Sequence, residues 1–304
     1  MSLIDTMLSE ESFMTILRAT PKTLLSLNLS QNEHLTTKCF SELHSLENLA
    51  HLSLEKCNIR DDAIAVLMDT DPHKLNTPIE PVPPVPGAAM SQSLKKKGGS
   101  LVMKKSFSVM TGGAANSQAG DDEATPPFIP SGLVKTLKLF NVSTNQVSDA
   151  GAKDISNFID KSECLETLQL HWNKIRAKGS MFLAKSIKAN RTIKVLDISF
   201  NSFGSGAIKK AIVQDDLKKE EEVQAEQRHP IQKIECAVSA WKWRKTLMKN
   251  FTLLHLDISF NAFTDHDMIA LGDGLRENHT LLGCHVEGNN SKLDSLGFIV
   301  PIMV

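Results

Sequence analysis

The side chains that could do chemistry in this chain are histidines, carboxylates, thiols and tryptophans. His51, His171, His255 and His285 each fall on a predicted strand, at positions that leucine does not take, so they face one shared surface or its rim. They come from separated stretches and no two share a metal-like spacing. Cys39, Cys57, Cys164, Cys236 and Cys284 are odd in number, scattered, and form no CxxC, which points to reduced structural thiols. Cys284 takes a strand position that is leucine elsewhere, so it reads as a small buried hydrophobe. No GxxxxGK[ST], GxGxxG, GxSxG or HExxH occurs. Nothing supports a catalytic constellation, and we expect no enzyme activity, cofactor or metal.

Composition narrows the partners. The formal net charge is -1, so no bulk field points to nucleic acid or a membrane. Aromatics are only 5% and tyrosine is absent, which suits a core of Leu, Ile and Val layers. The start, Met1 to Asp5, shows no basic region, and no run approaches ~18 apolar residues, so neither a signal peptide nor a membrane helix is expected. The expected location is the cytoplasm.

The elements that must position these residues repeat. Leu165-x-x-Leu168-x-Leu170-x-x-Asn173-x-Ile175 reads as a strand, because Leu168 and Leu170 alternate with Thr167, Gln169 and His171. Phe182, Leu183 and Ile187 then fall on one helical face. The pattern restarts at Ile193, 28 residues after Leu165, and Leu281 follows Leu253 by 28. Asp197-Ile198-Ser199-Phe200-Asn201 recurs letter for letter from Asp257 to Asn261. A strand and a helix in so few residues cannot bury their own apolar face and must stack on copies of themselves. Seven repeats are read, beginning at Leu24, Leu49, Val134, Leu165, Ile193, Leu253 and Leu281. The third runs through Leu137 and Leu139, with Asn145-x-Val147 about three residues late.

On these motifs the chain resembles leucine-rich repeat proteins of the ribonuclease-inhibitor-like subclass, over roughly residues 24–76, 133–212 and 244–290. The resemblance implies an α/β leucine-rich repeat solenoid, a horseshoe with a parallel sheet inside and helices outside. Such solenoids recognise ligands in innate-immune receptors, activate the GTPase Ran, cap actin filaments and dock within cilia and flagella.

Residues 1–23 read as a capping helix with Phe13, Met14, Ile16 and Leu17 on one face, stopped at Thr20-Pro21. Repeats one and two span 24–76 and repeats three to seven span 132–292. The insertion at 77–131 is rich in Pro, Gly, Ser and Lys and is expected to be disordered or extended. Ser106 and Ser108 follow two lysines there and are candidate phosphorylation sites. A second insertion, helical, is placed at about 213–245, following core residues Ile208, Ala211 and Ile212. Its first limb, Gln214 to Arg228, is charged on every face, and Pro230 should break it. Its return limb carries Trp241 and Trp243 among basic residues, so it either packs on the outer helices or anchors a partner such as calmodulin. The IQ-like start at Ile231-Gln232 is a poor match, with Cys236 where a basic residue should be. Residues 293–304 form an apolar tail, either a lid on the last strand or a patch for a partner.

Two sets of asparagines read as structural. Asn32, Asn173, Asn201, Asn261 and Asn289 should pair buried backbone groups of the turn after each strand. Asn190, Asn250 and Asn278 share one repeat position at a helix end. What remains is the inner face, whose central column reads Asn28, Ser53, Lys138, Gln169, Asp197, Asp257, His285 and whose next column includes His171. Beside it stand Trp172, Phe200 and Phe260; the two phenylalanines are expected to pack on the turn, and Trp172 is the anchor candidate. The protein-binding candidates are therefore Lys138, Gln169, His171, Trp172, Asp197, Asp257, His285, Trp241 and Trp243. The expected function is a non-catalytic scaffold or adaptor, with other proteins as partners in a large assembly. The Asp-Ile-Ser-Phe-Asn repeats resemble solenoids of axonemal regulatory complexes, implying a cytoskeletal, ciliary or flagellar location. A Ran-type GTPase activator is the rival, though the acidic carboxyl-terminal region of that family is missing.

Overall fold

The computed structural model describes residues 1–68, 132–204, 236–293 and 299–301. The proline- and lysine-rich insertion, Ser106, Ser108, the charged stretch 214–228 and Ile208, Ala211 and Ile212 lie outside the described residues.

Seven three-residue strands form one parallel sheet in chain order: β1 (Ser26–Asn28), β2 (His51–Ser53), β3 (Leu139–Asn141), β4 (Thr167–Gln169), β5 (Val195–Asp197), β6 (His255–Asp257) and β7 (Gly283–His285). The middle residue of each strand points into the core with the residue two later, as alternation demands: Leu27 with Leu29, Leu168 with Leu170, Leu256 with Ile258. Helices back one side only. They are α1 (Glu10–Ala19), α2 (Thr37–Glu42), α3 (Asp61–Met68), α4 (Gly132–Thr136), α5 (Asp149–Lys161), α6 (Ala177–Ala189), α7 (Val238–Lys249) and α8 (Asp265–Arg276). Helix α1 buries Phe13, Met14 and Leu17, while Leu3 donates its N–H to Asn28 and extends the sheet at that edge. The chain then closes with an antiparallel pair, β8 (Ser291–Leu293) and β9 (Ile299–Pro301), with β9 lying against α8.

Two columns of polar side chains hold successive repeats in register. After each strand Asn32, Asn145, Asn173, Asn201, Asn261 and Asn289 donate to carbonyls of their own strand and of the preceding segment, as Asn201 does to Ile198 (3.2 Å) and Leu170 (3.0 Å). Cys57 fills the same slot with its thiol 3.2 Å from the Leu29 carbonyl. At the far end Asn190, Asn250 and Asn278 close the turns after α6, α7 and α8, and Ser162 does so after α5. Helix starts are tied similarly: Asp149 accepts from the N–H groups of Arg176 and Gly179 at 2.8 Å each. A Cβ at Gly179 would run into that carboxylate, so glycine sets the approach of α6 to α5.

Repeat three lies three residues later than the sequence pattern indicates. Leu139, Phe140 and Asn141 pair with Thr167, Leu168 and Gln169, so Leu137 is the equivalent of Leu165 and Asn145 falls in step. The pattern misleads because Phe140 and Val142 fill leucine slots, while Val134 is a buried residue of α4, upstream of the strand. The helix of repeat five is also displaced. Val238–Lys249 packs between α6 and α8, so the return limb expected within the second insertion is the repeat's own helix.

Candidate protein-binding face

The open side of the sheet presents three inward-alternating columns, because residues one, three and five of each strand-and-turn unit point away from the helices. The third column reads Asn28, Ser53, Asn141, Gln169, Asp197, Asp257, His285. The correction at repeat three removes Lys138 from it: Lys138 stands one residue before β3 and is exposed there, and Asn141 takes its place. The fifth column reads Ser30, Glu55, Ser143, His171, Ser199, Ser259, Glu287, carried past the strand ends by bonds such as Trp172 N–H to Ser199 (3.1 Å). With Ser26, His51, Leu139, Thr167, Val195, His255 and Gly283 in the first column, the face holds four carboxylates, four histidines and no lysine or arginine.

Asp197 and Asp257 have a local task that the sequence reading missed. Each accepts the backbone N–H two residues on, from Ser199 (3.1 Å) and Ser259 (2.9 Å), as Asn28 does from Ser30 and Asn141 from Ser143. The signal was an Asx-x-Ser spacing present in four repeats. His171 Nδ1 lies 3.1 Å from Asp197 Oδ2, an ion-pair approach short of an aligned hydrogen bond. The neighbouring Asp197 carboxylate raises the His171 imidazole against the burial that lowers it. Burial raises Asp197, but His171 and Ser199 outweigh it and the carboxyl lies below its ordinary value. His255 and His285 have ring centroids 4.9 Å apart on the same face.

The tryptophans divide. Trp243 is fully buried and donates to the Ser180 hydroxyl at 2.9 Å, standing where repeat four has Leu183. Trp241 is also buried, with the Arg244 guanidinium 4.7 Å from its ring centre. Neither offers the exposed anchor the sequence allowed, and with them the calmodulin reading loses its contact residues. Trp172 is 57% exposed and does not stand alone. It stacks on Phe200 at 4.3 Å, and Phe200 stacks on Phe260 at 4.3 Å, with planes 9° and 12° apart. Phe200 and Phe260 therefore line the rim, and the turn packing expected of them is met in part, since the Phe260 ring also lies against Gly288 of the next turn.

The family model described as Leucine Rich repeat matches residues 189–210 and 249–272, each beginning at a helix end and taking in a strand, the second reaching into α8. These two stretches are leucine-rich repeats, and the fold is a leucine-rich repeat solenoid. No curated protein matches its sequence. Among solved structures, this repeat protein is similar to the leiomodin-1 actin-binding site 2, with TM-score 0.31 and 20% identity over 47% of this chain and 64% of that one, less than two thirds of its length. It is similar to the tropomodulin C-terminal domain of Caenorhabditis elegans, with TM-score 0.36 and 10% identity over 89% and 93%. It is similar to an internalin, inlF, of Listeria monocytogenes, with TM-score 0.33 and 14% identity over 88% and 55%. Likeness at this level carries nothing about partners.

Other chemistry has little footing in these repeats. All five cysteines are free, and burial pushes Cys57 and Cys236 up to about 11 and Cys284 to about 12, so these thiols stay protonated and unreactive at neutral pH. Among the described residues no group of three His, Cys, Asp or Glu gathers to hold a metal ion, and no helix is long and apolar enough to cross a membrane. A shallow depression of about 270 Å³ lies between the ends of α5 and α6, lined by Asp160, Glu163, Asn190 and Arg191, away from the sheet.

Proposed function

We propose that this protein is a non-catalytic scaffold that docks a partner protein on the open face of its sheet. One observation carries the reading: in five of the seven strands the outward positions stay exposed or half-buried while the middle residue is buried, so the described helices leave that side of the sheet uncovered. An open, largely polar surface suits a macromolecule better than a small molecule, which takes a concave, mostly apolar site. Placement in a cytoskeletal or axonemal assembly is part of the proposal and follows from the repeat resemblance.

A photo-crosslinking residue at Gln169, on the open face, should capture a discrete partner in native extract, and the same residue at Lys185, on α6, should not. Capture only from Lys185 would move the docking site to the helices. Acceleration of GTP hydrolysis by a Ran-like GTPase would replace the scaffold with the activator. Recovery in a detergent-resistant cytoskeletal fraction is expected, and recovery in the soluble fraction alone would remove the axonemal part.

A further inference from the structure

Trp172, Phe200 and Phe260 occupy one repeat position, the residue just before the laddered asparagine. Every residue there is left-handed, from Gln31 (φ 63°) and Lys56 (φ 54°) through Thr144 (φ 57°) to Trp172 (φ 53°), Phe200 (φ 51°), Phe260 (φ 52°) and Gly288 (φ 68°). The turn needs that conformation and does not need an aromatic ring, since four repeats make it with Gln, Lys, Thr or Gly. Glycine and asparagine adopt it with least strain, and bulky side chains are the outliers. Three such outliers in consecutive repeats, the outer two about half in water, point to a use outside the turn.

Their geometry defines the surface. Two steps of 4.3 Å make a continuous ridge about 9 Å long. Gly288 ends it, because a Cβ there would collide with the Phe260 ring. Trp172 and Phe260 are 57% and 44% exposed. Alongside lie the small, buried Ser199 and Ser259, in a column that Glu287 ends, and beyond them the carboxylates of Asp197 and Asp257, in a column that His285 ends. His171 pairs with Asp197 from the column alongside, and no lysine or arginine stands in the inward columns to neutralise the rest.

We propose that the Trp172–Phe200–Phe260 ridge and the carboxylate row beside it form one docking surface for a partner segment that is apolar on one side and basic on the other. The proposal rests on the scaffold reading and names the partner's chemistry. Aliphatic side chains lie along the ring edges and exclude water from them. Lysine or arginine on the adjoining side crosses the serine floor to Asp197 and Asp257. An acidic segment meets like charge there, which costs affinity and rejects the wrong partner. A ridge of this length accommodates about six residues of helix.

The test uses the full chain and two labelled helical peptides, one with leucine and lysine on opposite faces and one with glutamate replacing lysine. The lysine peptide should bind at least tenfold more tightly than the glutamate peptide, weaken with salt, and shield Trp172, the exposed one of the three tryptophans, from acrylamide quenching. The triple change Trp172→Asn, Phe200→Asn and Phe260→Asn should cut affinity at least tenfold while the melting temperature holds or rises, because asparagine favours the left-handed turn. Asp197→Asn with Asp257→Asn should remove the preference for lysine, since asparagine already makes the same turn at Asn28 and Asn141. Equal binding of the two peptides, or none, overturns the proposal. A triple variant that melts lower with unchanged affinity makes the ridge structural packing and also overturns it. Concentration-dependent dimerisation lost in the triple variant assigns the ridge to a second copy instead. A partner captured from Gln169 without lysine preference sinks this inference alone, whereas no capture from Gln169 sinks the scaffold reading itself.

Discussion

Phe260 and Asn261 are neighbours in the chain, and both recur at fixed repeat positions, yet one stands in water and the other is fully buried. Asn261 faces inward and satisfies carbonyls of Ile198 and Ile258 that the turn leaves unpaired. Phe260 faces outward, is 44% exposed, and touches another ring and the bare backbone of Gly288. Recurrence thus has two causes. The asparagine column appears in nearly every repeat because each turn has the same orphan carbonyls. The aromatic column appears in three, which a requirement of the turn does not explain. Substitutions that treat the two columns differently test that distinction.

The largest effect should come from the buried side. Trp243→Ala removes a fully buried indole that packs on Phe203 and anchors Ser180, so it should cost about 3–5 kcal/mol in urea unfolding. Trp172→Asn, the same residue type at the rim, should cost little or nothing. If both destabilise alike, the rim is part of the core after all. Next comes the inner column: Asn261→Ala strands buried carbonyls and should cost on the order of 1–3 kcal/mol. Amide exchange should quicken first in the turns around Ile198 and Ile258.

Much of this was legible in the sequence, and what was not has physical causes. The leucine, asparagine and glycine positions are fixed by burial and hydrogen bonding, so their spacing alone gives strand order and which face is open. Repeat three was misplaced because the core accepts Phe140 and Val142 where other repeats use leucine, and a chance match at Val134 and Leu139 filled the gap. Trp241 and Trp243 were open to two readings because a helix after an insertion looks like part of it; only packing shows Trp243 in the slot of Leu183. The aromatic stack could not be read because sequence does not report φ, and stacking depends on the left-handed turn that aims each ring at the next. His171 and Asp197 come from different repeats, and their approach follows from the register of β4 and β5.

A smaller effect probes the end of the rim. Gly288→Ala places a Cβ at φ 68° against the Phe260 ring, so it should destabilise by about 1–2 kcal/mol. Part of that cost is the left-handed backbone and part is the ring. Adding Phe260→Asn should recover the second part, giving a coupling of about 0.5–1 kcal/mol in a double-mutant cycle. Strict additivity would mean that the ring moves aside freely and that the ridge is not held in place.

The smallest effect is the pH dependence of the His171–Asp197 pair, which links the open face to stability. His171 is raised in the folded state, so its contribution is full below its unfolded pKa, about 6.5, and is lost as pH rises through the higher folded value. Asp197 is lowered, so its contribution is full above its unfolded value of 3.8 and is lost as pH falls through the lower folded one. The pair therefore adds most between those two unfolded values. Partial exposure and salt limit it to about 0.5 kcal/mol. His171→Gln should flatten the stability profile from about pH 6.5 upward while leaving the asparagine column intact. A profile unchanged by that substitution would mean that the contact is not populated in solution, and that Asp197 is held by Ser199 alone, as Asp257 is held by Ser259.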